Sequence, residues 1–187
     1  MKASSNPAAP RVYFREDQRF RQPFLWIPLI LGSAVASGTT LWMIARQVVG
    51  GIPFGDYAMS NEAMLAAGAV VLCLNFIIIL FFAVACLQIE VNDRGLFLRF
   101  FPMHRKARQI SLDEVTSITA VQYQALLDYG GYGIRKYPRS TAYNVRGEDG
   151  VRIDYENGCH VLLGTQHPEA LFQALKHVLE STDAADG

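Results

Sequence analysis

The chain has 187 residues, room for one ordinary domain and a small extra module. Its 17 Lys+Arg balance 17 Asp+Glu, which argues against a nucleic-acid binder that works by bulk charge. Its three cysteines, Cys73, Cys86 and Cys159, are far apart and two lie in apolar runs, so neither a disulfide framework nor metal-ligand spacing can be read from them.

Charge is unevenly spread along the chain. Residues 1–23 carry five basic and two acidic side chains, a net charge of +3, and read as a basic N-terminal segment. Phe24 to Ala45 then contains no charged residue and is apolar apart from Ser and Thr. Ala63 to Leu87 is apolar apart from Asn75. Each run exceeds the roughly 20 helical residues that cross a hydrocarbon core, and neither shows the polar stripe of a soluble core helix. Transmembrane helices are expected over 24–45 and 63–87, joined by an extracytoplasmic loop over 46–62.

Orientation follows from the flanks. Arginines crowd the N-terminal segment, and Arg94, Arg99, Arg105, Lys106 and Arg108 follow the second span, whereas the loop from Gln47 to Glu62 holds two acids and no Lys or Arg. The positive-inside rule places both termini in the cytoplasm. "AVASG" at 34–38 resembles a signal-peptidase site, but the apolar stretch runs past it to Ile44 and the leading region carries two acids, which argues against cleavage.

Within the spans, Gly32 with Ala36 and Ser33 with Ser37 give the small-xxx-small spacing that lets helices approach closely. Asn75 falls near mid-span, where an unpaired amide is costly. Two readings stand: a hydrogen bond to Ser33 or Ser37, or a polar contact with another membrane subunit. No ionisable side chain lies within either run, so a conduction or proton role is not expected.

After Leu87 the apolar period becomes two. Leu87, Ile89 and Val91 alternate with polar residues, "NDRG" (92–95) is a turn, and Leu96, Leu98 and Phe100 alternate again, a β-hairpin continuous with the second span. At about 3.3 Å per residue the returning strand brings "FPMHRKAR" (101–108) back toward headgroup height. Arg105, Lys106 and Arg108 can there face anionic lipid at about 1 kcal/mol each. A solvated loop and a protein contact are the other readings.

Further β runs are "TSITAVQYQ", "GYGIRKYP", "TAYNVRG", "GVRIDYE" and "CHVLLGT", the last two separated by the hairpin dipeptide Asn157-Gly158. "SLDEV" (111–115) reads as a turn or short helical bend. "HPEALFQALKHVLEST" closes the fold as an amphipathic helix, with Leu171, Phe172, Leu175, Val178 and Leu179 on one stripe. The order is about seven antiparallel strands and one helix, over 88–182, with 183–187 as a disordered tail.

The segments "FREDQRFRQPFLW", "GYGIR", "AYNVRG" and "LLGTQHPEALFQAL", in that order, resemble bacterial membrane proteins that carry two transmembrane helices and a C-terminal pleckstrin-homology (PH)-like domain. The resemblance implies an α+β membrane protein: an N-terminal two-helix transmembrane hairpin, then a PH-like antiparallel β-barrel capped by a C-terminal helix. It supplies no catalytic residues. The headgroup site of eukaryotic PH domains is not carried over, since the first hairpin turn here offers Arg94 beside Asp93 and points away from the bilayer.

Chemistry is sparse. A phosphate cradle needs its glycines at the mouth of a helix, whereas Gly130, Gly131 and Gly133 precede β-patterned runs and Pro138, so they read as relief at a bulge or strand edge. The four histidines lack ligand spacing, and Cys159 and His160 would point to opposite strand faces. Arg135, Lys136 and Arg139 with Tyr132 and Tyr137 could engage nucleic acid, but 88–187 carries 11 basic and 13 acidic side chains. No catalytic residue, metal, cofactor, nucleic acid or small-molecule substrate is expected. The expectation is a membrane-anchored, non-enzymatic interaction module, an accessory or assembly subunit, that docks a membrane-protein partner through Arg135, Lys136 and Arg139. The alternative is an anionic-lipid-sensing or lipid-organising protein.

Overall fold

The structure is a computed structural model that describes residues 10–53 and 59–186. Lys2 of the basic segment, Asp56 of the inter-span loop and Gly187 of the tail lie outside the described residues. The chain divides into two compact units, a helical one over Phe20–Val84 and a sheet unit formed by the chain up to Arg19 and from Ala85 onward.

In the helical unit, α1 (Pro23–Ile44) starts on a proline at its first position and continues through a π-helical turn, Ala45–Val49. Proline suits that start because its missing N–H would be unpaired there anyway. Helix α2 spans Asn61–Val84. Both helices are long and apolar enough to cross a membrane, and only 6% of each apolar window is buried within the molecule. Helix α2 ends three residues before the expected Leu87. Cys86 and Leu87 belong to the next strand, whose inward Leu87 prolongs the apolar run without prolonging the helix.

The two helices approach closely at Gly68. A Cβ there would lie 2.6 Å from Ile44 Cδ1 and 3.3 Å from Thr40 Cγ2, whereas one on Gly32 would meet nothing within 4 Å. Of the small residues expected at the seam, Gly32 is open, whereas Ser33 is buried and Ala36 and Ser37 are half-buried. Gln47 fastens the connection, donating from Nε2 to the Met59 carbonyl at 2.6 Å and to Asn61 Oδ1 at 3.2 Å.

The sheet unit holds nine strands in two sheets among the described residues, not the expected seven in a closed barrel. The first sheet has the order β1 (Val12–Arg19), β2 (Cys86–Asn92), β3 (Gly95–Phe101), β4 (Arg108–Ile110). The second has the order β5 (Val115–Gln122), β8 (Asp149–Tyr155), β9 (His160–Gly164), β7 (Ser140–Asn144), β6 (Gly133–Tyr137). One pair departs from the expected antiparallel pattern: β7 runs parallel to β9. The hairpin β2–β3 is as the alternation predicts, pairing Leu87 with Phe100, Ile89 with Leu98 and Val91 with Leu96. All six are buried.

Strand β1 is the element missed in the N-terminal segment. It pairs along β2 from Val12–Asn92 to Arg19–Cys86 and turns Phe14, Glu16 and Gln18 inward. Helix α4 (Pro168–Asp186) packs against β1, β2, β5 and β8, burying Leu171, Leu175 and Val178. It runs through Asp186, into the stretch expected to be a disordered tail.

Two buried polar side chains of β1 reach the far sheet. Gln18 Nε2 donates to the Gly164 carbonyl at 2.7 Å. The Glu16 carboxylate accepts from the Thr165 hydroxyl and, at 3.0 Å, from the Gln166 N–H. Thr165 Oγ1 accepts in turn from the His167 N–H at 3.0 Å. A buried carboxylate is costly unless fully hydrogen-bonded; here it sits at the start of α4, where unpaired N–H groups and the helix dipole favour negative charge.

Candidate functional site: a cationic face around an edge strand

Strand β6 is an edge of the second sheet, and its sequence is built to stay unpaired. Arg135, Lys136, Tyr137, Pro138 and Arg139 are five consecutive exposed residues. Charged side chains and a proline are the usual means of blunting a sheet edge.

Alternation along β6 divides the expected docking triplet. Arg135 pairs with Ala142 and Lys136 with Thr141, so the two side chains leave opposite faces of the sheet. Arg135 lies over Gly131, where an added Cβ would come within 2.7 Å of its Nη2. Gly131 has φ +129°, so its backbone favours glycine, whereas the exposed Arg135 guanidinium above it is the free end of a flexible side chain and can move aside.

Lys136, on the other face, is close enough to the basic loop that follows β3 for its charge to be felt there. His104 titrates below the ordinary histidine value, first because of burial and then through the positive charges of Arg108 and Lys136. Arg108 likewise opposes the upward effect of burial on Tyr143. Residues 102–108 and β6, read separately in the sequence, thus lie within electrostatic reach of each other at His104. Arg105, Lys106 and Arg108 are exposed; Arg99 Nε donates to the His104 carbonyl at 3.4 Å, holding the loop's turn. His104 Nδ1 is buried with no hydrogen-bond partner among the described residues.

A short helix, α3 (Ala125–Tyr129), lies beside the strand's other face and had no signal in the sequence reading. Ala125 is buried, and the Tyr129 ring sits 6.0 Å from Tyr123 and 6.5 Å from Tyr137. The Asp128 carboxylate accepts from the Gln124 N–H at 2.8 Å. Gly130 ends the helix in the left-handed conformation, φ +63°. The glycine-rich stretch therefore follows a helix C-terminus, where carbonyls gather, and the phosphate-cradle geometry is reversed. Five residues with two glycines immediately behind them are too short for an apolar period to be read.

The intramembrane candidates do not meet as expected. Gly68 opposite Thr40 and Ile44 sets an antiparallel register that puts Asn75 level with Ser33 and Ser37, yet among the described residues no hydrogen bond joins them. Asn75 remains half-exposed while Ser33 is buried; the amide does not turn fully into the seam between the helices.

A cavity of about 750 Å³ between Gln109–Val115 and Val178–Leu179 carries Asp113, whose carboxylate accepts from the Ser111 hydroxyl at 2.7 Å. Among the described residues no group of three or more His, Cys, Asp or Glu side chains could hold a metal ion. Comparison with protein-family models, with curated proteins and with solved structures finds no match for this chain.

Proposed function

We propose that the chain is a membrane-anchored, non-enzymatic interaction module that presents a PH-like sheet unit at the cytoplasmic face of an inner membrane and recognises an anionic surface through the region around β6. The observation that carries this reading is the gathering of charge. Residues 102–108 and 125–139 hold six cations and one acid, although 88–187 as a whole is net negative. Asp128, the one acid, is engaged with the Gln124 N–H. Clustered cations of this kind steer encounter with an anionic partner and set its orientation.

Two surfaces have that chemistry, an acidic face of a membrane-protein partner and an anionic lipid leaflet. Support for a site close to the membrane comes from the chain's own connectivity. Only Ala85 separates α2 from β2, and Arg19, at the end of β1 that leads into α1, pairs with Cys86. Phe101, where the basic loop begins, also pairs with Cys86.

The test uses the full chain in the membranes of cells that make it, with a photocrosslinking amino acid in place of Tyr137. Adducts that disappear when Arg105, Lys106 and Arg108 are changed to Glu support the reading. Adducts that persist unchanged, or none at all, overturn it.

A further inference from the structure

We propose that Leu126 and Leu127 of α3 form an apolar wedge that enters an anionic phospholipid bilayer, with the cations around β6 seated at the phosphates; this rests on the recognition role of the β6 face and names the surface it meets.

The exposure of these leucines is the starting point. Leu126 is 67% exposed and Leu127 80%, on a helix of five residues. In the sheet unit the other exposed large apolar side chains among the described residues are Val12, Met103 and Tyr137. Four of the five therefore fall in the two segments that also carry the clustered cations. Scattered apolar residues on a surface need no explanation, but apolar and cationic side chains gathered in the two segments around one sheet edge have the composition of an interfacial anchor.

The wedge is held in shape before it meets anything. Ala125 is buried beneath α3, the Tyr129 ring sits between Tyr123 and Tyr137, and the Gly131 N–H donates to the Ala125 carbonyl at 2.8 Å. Inserting Leu126 and Leu127 thus orders little chain, and moving their apolar surface from water into the acyl boundary is favourable. Arg and Lys side chains flanking such a wedge keep their heads at the phosphates while their stems lie along apolar surface.

The bilayer is favoured over a protein by charge and by chain continuity. The face is net positive, and a cytoplasmic leaflet containing anionic lipid is negative. The covalent chain also ties Phe101, two residues before Met103, through its partner Cys86 to the end of α2.

The test labels Leu127→Cys with the environment-sensitive fluorophore NBD in the full chain, with Cys73→Ser, Cys86→Ala and Cys159→Ser. The protein is reconstituted into phosphatidylcholine vesicles with or without phosphatidylglycerol. Gln173→Cys on the exposed side of α4 is the reference position. With phosphatidylglycerol, the label at 127 is expected to shift to shorter wavelength and to be quenched by lipids carrying a quencher high on the acyl chain. The label at 173 does neither. Omitting phosphatidylglycerol, or changing Arg105, Lys106 and Arg108 to Ala, weakens both signals. If the cysteine-free background does not fold, Leu127→Trp in the otherwise native chain reports the same contact as added quenching by brominated lipid above the Trp26 and Trp42 background. Equal signals at 127 and 173 overturn the wedge, as do equal signals in the two lipids. A water-exposed label at 127 together with charge-dependent Tyr137 adducts to a protein would overturn the wedge while leaving recognition by the β6 face intact.

Discussion

His104 is the residue where the geometry of the cationic face can be read by titration. Burial lowers its pKa, and Arg108 and Lys136 lower it further. The unfolded chain therefore takes up the proton at higher pH than the folded one. Stability is unaffected above the ordinary histidine range and falls as pH drops below about 6.5, until the folded imidazole is itself protonated. Acidifying the detergent-solubilised chain from about pH 7 to about pH 5 should speed hydrogen exchange in 102–108 and in β6. His104→Gln should remove that acid-dependent part, and equal exchange in the two proteins would contradict the arrangement. Gly164 makes the opposite kind of demand, a purely steric one. A Cβ there would stand 2.5 Å from Tyr123 Oη and 3.0 Å from Asn144 Cβ, and Asn144 is fully buried. Gly164→Ala should cost about 1–3 kcal/mol by overpacking, read as a lower midpoint in chemical denaturation.

At the scale of elements, β1 is an unusual strand because two of its inward positions are polar. Glu16 and Gln18 alternate inward with Phe14, and each is hydrogen-bonded to the segment Gly164–Gln166. Truncating Glu16 to Ala leaves the Thr165 hydroxyl and the Gln166 N–H without their acceptor, at a cost of about 1–3 kcal/mol. The loss should be localised: exchange protection should fall along β1 and the first turn of α4 while β3 keeps its own. Uniform loss, or none, would show that the clasp does not hold β1. The same polar inward positions explain why the strand was not legible in the sequence. "VYFREDQR" offers only Phe14 among the inward apolar residues, so the period-two signal is absent. By contrast, Leu87–Val91 and Leu96–Phe100 alternate cleanly around the turn 92–95, and the hairpin is legible from that pattern. Strand β4, at three residues, and α3, at five, are too short to carry a period. The division of the basic triplet around β6 and the electrostatic reach of Lys136 to His104 are tertiary facts with no local trace. The expected amide contact of Asn75 had the correct depth, because helix length and register follow from 1.5 Å per residue. What sequence could not give was the rotation of each helix about its axis.

At the scale of the whole molecule, the chain joins two units suited to different solvents. Helices α1 and α2 show most of their apolar surface outward, which water would penalise and a bilayer would not. The sheet unit encloses a conventional apolar core of Leu87, Ile89, Val91, Leu96, Leu98, Leu171 and Leu175, so its outward chemistry is free to serve recognition. In the proposed function the helices anchor this unit on the side of the membrane where the positive-inside rule puts it. A native probe exists in Cys159, which is half-exposed in the sheet unit, whereas Cys86 is buried and Cys73 lies within α2. The direct measurement is modification of Cys159 by a membrane-impermeant maleimide. The account predicts labelling in inverted inner-membrane vesicles and protection in intact cells until they are lysed. Labelling of intact cells, or release of the protein from membranes by alkaline carbonate, would contradict it.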